Sequence, residues 1–488
     1  MGNVFEAIKS FILSIPLKII ALIIGVFLVC HIYMSRGYVD AFVFAFLPIA
    51  FILACRFVGH PQKLFFIFLV LDYFIMGINR YYPIKSGLVM SIISVVMLLL
   101  VVLKYSWMNK DIHVECCFRN PMFVIWLIWF AYCVAQLFRP DIYSYPWFVG
   151  IGSYAFYALL SIFFISVFFK NYKSVKFFLA LWSVCTLICV FKGLWQKFVG
   201  FDNAEKLWLY QGGGRTTHIL YSGIRYFSFF SDAANFGIGM GMSLMVFGIA
   251  AFYQKKVWMK FYFGAVALLA GYGMMISGTR SAMMVPFAAL ATFIVCSGKV
   301  RSTVYGILIL AGLYFFFNFT TIGNSVQYVR RMRSAFDTSD ASLNVRLDNQ
   351  AKLKPYMASR PFGVGIQMSK DPKWQHYTKV PEIATDSWFV KIWVETGIVG
   401  LALHLTLMAI LFAWGGYIIL FKIHNRELRG VMTAMFAGAI GVFAASYGNE
   451  VMGYPNGLVV WICEAFVFVS PYIEEHFEEE KDKELKTI

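Results

Sequence analysis

The sequence predicts an all-α fold, a polytopic membrane helical bundle of about 12 to 14 transmembrane helices with a large periplasmic loop carrying short helices. Three observations lead there. Of 488 residues, 60% are hydrophobic and 14% are charged, against roughly one quarter charged in a soluble globular chain. The apolar residues fall in repeated blocks of about 15 to 22, near the length that crosses ~30 Å of hydrocarbon at about 1.5 Å per residue. Lys and Arg punctuate the short connections between blocks. An ordinary cytosolic enzyme is excluded.

The first block, 19–34, lacks a small-residue cleavage site, and the next, 41–55, follows almost at once, so the first is read as a retained helix. Further blocks at 64–78, 88–103, 122–137, 151–169 and 177–195 complete the N-terminal half. The pattern resumes at 236–252, 261–276, 282–296 and 304–319, breaks, and ends with 398–421, 431–446 and 458–470, about fourteen in all. The chain thus divides into an N-terminal transmembrane bundle (1–196), a periplasmic loop (197–235), transmembrane helices with the Arg280 turn (236–320), a large periplasmic loop (321–387), C-terminal transmembrane helices (388–473) and an acidic tail (474–488).

Basic residues in short loops mark the cytoplasm. Lys104, Lys110 and Arg119; Lys170, Lys173 and Lys176; Lys255, Lys256 and Lys260; Lys299 and Arg301; and Lys422, Arg426 and Arg429 share one phase, which puts both termini inside and both long loops outside. The tail is expected to be a solvated helix or disordered. Because the basic residues lie between spans, topology and anionic lipid account for the net charge of +16, and nucleic acid does not. The nine cysteines fall in apolar blocks or a cytoplasmic loop, which argues against disulfides, zinc and iron–sulfur sites.

The candidate chemistry lies outward. Arg225 precedes Ser231-Asp232-Ala233-Ala234-Asn235, where Asp232 or Asn235 is placed to cap the next helix; Arg225 itself reads as an interfacial anchor or an anion ligand. Ser277-Gly278-Thr279-Arg280-Ser281 is a tight outward turn. Two arginines at neighbouring helix ends suit phosphate oxygens, which guanidinium forks bind bidentately at any pH. In the large loop, Leu343, Leu347 and Ala351 recur every fourth residue, predicting a surface helix over 342–354 from which Arg346 projects and which Pro355 stops. Arg360-Pro361-Phe362-Gly363-Val364-Gly365 reads as irregular chain. Thr385-Asp386-Ser387 leads into a short capped helix, a glycine break at Gly397 and a span, with Asp386 as a candidate cap and Glu395 as a structural carboxylate. Of the eight histidines, His218 and His376 lie in outward loops, each read as solvated. There are no paired carboxylates at a convincing spacing, no nucleotide-binding glycine motif and no metal-ligand cluster.

In order, the Arg225 motif, the Ser277-Gly278-Thr279-Arg280-Ser281 turn, the Arg360-Pro361-Phe362-Gly363-Val364-Gly365 stretch and Trp393-Val394-Glu395-Thr396-Gly397-Ile398-Val399-Gly400 resemble the O-antigen ligase and O-antigen polymerase superfamily over roughly residues 225–420. The resemblance implies transfer of an oligosaccharide from an undecaprenyl diphosphate carrier to an acceptor hydroxyl at the periplasmic face of the bacterial inner membrane, with no nucleotide sugar, metal or other cofactor. Its implied partners are undecaprenyl-diphosphate-linked oligosaccharide, a glycan or lipid acceptor and membrane lipid, with a polysaccharide flippase and a chain-length regulator in the cell. Under it, Arg225 and Arg280, with Arg346 and Arg215 behind them, would stabilise the charge that builds on the leaving diphosphate. Ligases of this family carry a histidine and asparagine where this chain has Thr385-Asp386-Ser387. Asp386 would replace that histidine as general base, or His376 would fold back to do so. The departure favours a repeat-unit polymerase over a ligase acting on lipid A or another acceptor. A lipid-linked oligosaccharide flippase is the rival from another class; Asp72 and Glu464 are the clearest mid-span acids, whereas the other polar residues crowd at one face.

Overall fold

With no water to satisfy the backbone inside a bilayer, apolar segments must close their own hydrogen bonds, and the apolar blocks become helices. The computed structural model describes residues 25–28, 30–31, 34, 61–107, 115–221, 223–298, 300–334, 341–369 and 383–485. They fall into two compact units, a smaller one (1–64 and 97–110) and a larger one (65–96 and 111–488), and the site described below belongs to the larger.

The helices are α1 (Pro61–Tyr81), α2 (Ser86–Trp107), α3 (Glu115–Phe118), α4 (Pro121–Ala135), α5 (Ser144–Ile151), α6 (Tyr157–Phe168), α7 (Tyr172–Phe198), α8 (Asn203–Tyr210), α9 (Arg215–His218), α10 (Ala233–Tyr253), α11 (Val257–Ile276), α12 (Met284–Cys296), α13 (Val300–Phe319), α14 (Gln327–Arg333), α15 (Ala341–Met357), α16 (Trp388–Phe421), α17 (Arg426–Ala445) and α18 (Asn456–Leu485). Short polar side chains set where several begin, each satisfying N–H groups that the first turn leaves over. Asn120 Oδ1 accepts from Met122 N at 3.0 Å, with Pro121 opening α4. Asn171 accepts from Ser174 N at 2.8 Å, and Asn425 from Glu427 N at 3.0 Å. Asp232 caps α10 as expected, accepting from Ala234 N at 2.7 Å and Asn235 N at 2.9 Å.

Among the described residues nine helices are long and apolar enough to cross a membrane, and three shorter apolar ones cover Ser86–Val102, Arg280–Cys296 and Thr303–Phe319. The chain is a multi-pass membrane protein of helices. Of the fourteen predicted blocks, the nine and the three account for all but 41–55, which lies outside the described residues, and 19–34, which largely does. The most apolar stretches of α10, α17 and α18 are 72%, 78% and 89% buried, against 39% in α1, α11 and α16. The first three and the Ser144–Phe168 segment, also 72% buried, are the most enclosed of the nine.

The helix expected over 342–354 forms as α15; Leu347 and Ala351 are exposed on it, and Leu353 and Met357 pack with Val364 and Val394. Two expectations need correction. Pro355 does not stop α15 at 354: the helix runs to Met357, because a proline in the last turn forfeits little of the ladder. The 197–235 loop is largely ordered, with α8, α9 and an antiparallel hairpin of β1 (Ile219–Leu220) and β2 (Gly223–Ile224). Of the two readings of the acidic tail the helical one holds: α18 continues to Leu485, and Glu474 accepts from the backbone N–H of His424 and Asn425 at 3.0 and 2.7 Å, tying its start to the α16–α17 turn.

Candidate active site

The 199–232 segment is fastened to one end of the bundle. Asp202 and Glu205 cap α8 reciprocally, and Lys192 of α7 bridges both carboxylates at 2.9 Å. Arg80, at the end of α1, lies 4.6 Å from the Trp208 ring centroid and 4.3 Å from that of Phe227. It donates to the carbonyls of Ser228 at 3.0 Å, Ser231 at 2.9 Å and Phe230. One guanidinium thus satisfies three carbonyls of a tight turn where Ser228 adopts φ 52°, a left-handed conformation disfavoured for serine.

Arg225 and the turn of residues 277–281, far apart in sequence, are joined here. Arg225 Nη1 donates to Thr217 O at 3.0 Å, Nη2 to Thr279 Oγ1 at 2.8 Å and Nε to Ser277 O at 3.4 Å. Thr279 Oγ1 in turn donates to Ala233 O at 2.9 Å. These bonds use three of the five N–H donors of a guanidinium. Gly278 adopts φ +57°, and a Cβ added there would lie 3.4 Å from Arg225 Cγ and 3.5 Å from Arg331 Cδ. Burial lowers the Arg225 pKa, Asp232 opposes that shift, and Arg280 and Arg346 add to it.

Arg225, Asp232, Asn235, Thr385, Asp386, Asn449 and Glu450 line a cavity of about 710 Å³. Its charge is mixed. Arg225 interacts electrostatically with Arg280, Arg346 and Arg331, and also with Asp232. Burial pushes Arg331 down to about 10, with Arg225 and Arg280 contributing; burial also lowers Arg346, against the pull of Asp386 and Tyr447. Three carboxylates share the lining with Arg225. Burial alone would raise Asp232, but hydrogen bonds from the backbone and side chain of Asn235 and from Ser231 hold it below the usual carboxylate range. Glu450 is bridged at 2.7 Å by Lys391, which is buried. Asp386 is exposed on the cavity wall. It is not the cap of α16: the N-cap is Ser387, whose Oγ bonds Ser446 O at 3.3 Å.

His218 is buried, not solvated. Its Nε2 accepts from Ala233 N at 3.1 Å and its Nδ1 donates to Gly214 O at 2.9 Å, a tautomer that those partners require. Burial pulls its pKa down to about 4, the Gly214 bond opposing and Arg225 assisting. With both ring nitrogens committed, His218 holds the start of α10 in place. Arg215 is exposed on α9, 5.7 Å from the Tyr210 ring centroid, and is not among the cavity's lining residues. His376 lies outside the described residues.

The remaining two motifs lock to each other. Val364 N and Gly365 N donate to Val394 O and Glu395 O, both at 2.9 Å, and Val399 N to Pro361 O at 3.2 Å. Gly397 breaks α16 at φ 76°, ψ −179°, and a Cβ there would lie 1.9 Å from Pro361 O. Glu395 is fully buried and structural, accepting from Gln367 N at 2.7 Å and from the hydroxyls of Tyr154 and Ser369. Arg139 closes the joint from outside, donating to Phe362 O at 2.7 Å and Gly363 O at 3.0 Å.

Sequence reasoning missed Arg331, Glu450 and Lys391. Arg330-Arg331-Met332-Arg333 is a visible basic run, and Glu450 is the one charged residue between 446 and 458. Nothing local marks Lys391. Residues 265–405 match the family model described as O-antigen ligase. No curated protein matches the chain.

Proposed function

We propose that this chain, which belongs to the O-antigen ligase and O-antigen polymerase superfamily, is a repeat-unit polymerase. That family is one of glycosyltransferase-type enzymes acting on lipid-linked glycan. The reading adds a donor, undecaprenyl-diphosphate-linked oligosaccharide, and a direction, growth of O-antigen, capsule or exopolysaccharide. The observation that carries it is the cavity lined by Arg225 together with the carboxylates Asp232, Asp386 and Glu450, with Arg280, Arg346 and Arg331 near enough to Arg225 to act on it electrostatically.

In the proposed reaction the acceptor hydroxyl oxygen attacks the anomeric carbon of the donor, the bond from that carbon to the phosphate oxygen breaks, and the diphosphate leaves carrying the electron pair. Arg225 and Arg280, supported by Arg346 and Arg331, stabilise the developing negative charge, in the role a divalent cation fills elsewhere. The hydroxyl proton passes to Asp386. Of the three carboxylates, Asp232 already accepts four hydrogen bonds and Glu450 is paired with Lys391, which leaves Asp386 as the base. Arg215 contributes at most at the entrance.

The orientation follows the basic loops. Lys255 and Lys256, between α10 and α11, and Lys422 and Arg426, between α16 and α17, stand at helix ends remote from the cavity. The positive-inside rule then gives a cytoplasmic-membrane protein with cytoplasmic termini and a periplasmic cavity.

A second reading, ligation of the glycan to lipid A or another acceptor, is favoured by the description of the matching family model. Purified protein incubated with undecaprenyl diphosphate oligosaccharide, alone and with lipid A, separates them. Ladders from the donor alone are the expected result. Transfer that requires lipid A would replace polymerase by ligase, and movement of the donor across a vesicle membrane without glycosidic bond formation would replace both by a flippase.

A further inference from the structure

We propose that a second cavity, at the other end of the bundle, binds the phosphoethanolamine headgroup of a membrane lipid. The cavity measures about 450 Å³. α18 begins beside the candidate active site, where Asn456 Nδ2 donates to Asn235 O at 3.0 Å. It reaches Phe468 of the second cavity about 18 Å further on, at about 1.5 Å per residue. The two cavities are therefore separate.

The lining supplies the three kinds of contact such a lipid needs. Arg119 and Lys170 offer cationic donors for a phosphate. Glu115 offers a carboxylate for an ammonium, and among the described residues it forms no ion pair with either cation. Lys170 Nζ lies 5.2 Å from the centroid of the Tyr472 ring. Ser166 is buried, and its hydroxyl has no hydrogen-bond partner among the described residues, an atom that a phosphate oxygen would satisfy. Pro121, Phe468, Val469 and Pro471 give the cavity an apolar part, where the start of an acyl chain would lie. Two cations and one carboxylate match a lipid carrying both charges better than an anionic one. A water-soluble phosphoethanolamine shares the headgroup chemistry, but it has no acyl chain to meet the apolar part of the lining.

The test is native mass spectrometry of the full-length protein in detergent, titrated separately with phosphatidylethanolamine, phosphatidylglycerol and soluble glycerophosphoethanolamine. Phosphatidylethanolamine is expected to be retained best. The double variant Arg119→Gln/Lys170→Gln should lower its retention about fivefold or more, as loss of charge-assisted hydrogen bonds implies. Glu115→Gln should abolish the preference over phosphatidylglycerol while the protein's melting temperature stays put. Preference of the wild type for phosphatidylglycerol, unchanged retention in the double variant, or equally tight binding of the soluble headgroup would overturn the proposal. Glycan transfer is not the readout, so the result is independent of the reaction proposed above.

Discussion

Arg225 with the 277–281 turn, and the 360–365 stretch with the 393–400 segment, are two pairs of distant elements that mate in different ways. The first pair meets through a side chain: Arg225 binds Ser277 and Thr279 and still borders the cavity. The second pair meets through backbone, carbonyl against glycine, around a buried carboxylate, and none of its residues lines the cavity. Motifs that look equivalent in the sequence thus divide into one that presents charge and one that fixes geometry. The two kinds should fail differently when mutated.

The largest effect is expected at the backbone joint. Gly397→Ala puts a methyl group 1.9 Å from Pro361 O at φ 76°, so the protein should fail to accumulate in the membrane, measured by immunoblot of membrane fractions. Wild-type levels would break the contrast at once.

Arg280→Ala and Arg225→Ala should instead leave accumulation near normal and reduce polymer formation by about 10²- to 10³-fold, the usual cost of removing a preorganised donor. Wild-type polymer length with Arg280→Ala would remove it from the diphosphate site. Asp386→Asn should lower transfer by about 10²-fold and His376→Ala only mildly; the reverse order would make His376 the base.

The smallest effect sharpens the comparison by pH. His218 titrates at about 4 in the fold and near 6.5 when unfolded, so the unfolded chain binds the extra proton between those values. Its contribution to stability is complete above about 6.5 and is lost as pH falls towards about 4. Thermal melts across that range should show a shallower acid loss in His218→Gln than in wild type. Identical slopes would mean that the histidine does not hold the start of α10.

Much was legible without coordinates. The spans were, because desolvation of the backbone acts on consecutive residues. The Asp232 cap and the Gly397 break were, because each is local chemistry. Arg225 and Arg280 stood out as charges beside apolar helix ends. What could not be read was which loop side chains converge. Leu353 and Met357 became the buried face of α15; His218 went inside; Glu450 and Lys391 entered the neighbourhood of the cavity from segments that look unremarkable alone, and Arg331 from a basic run whose destination nothing local marks. The sequence by itself determined a helical membrane protein with cationic turns at helix ends, since hydropathy and capping are properties of neighbours along the chain. The tertiary structure decided that Arg225 shares one cavity with three carboxylates while glycines and Glu395 lock a separate joint, since that pairing depends on contacts between residues as far apart as Asn235 and Glu450.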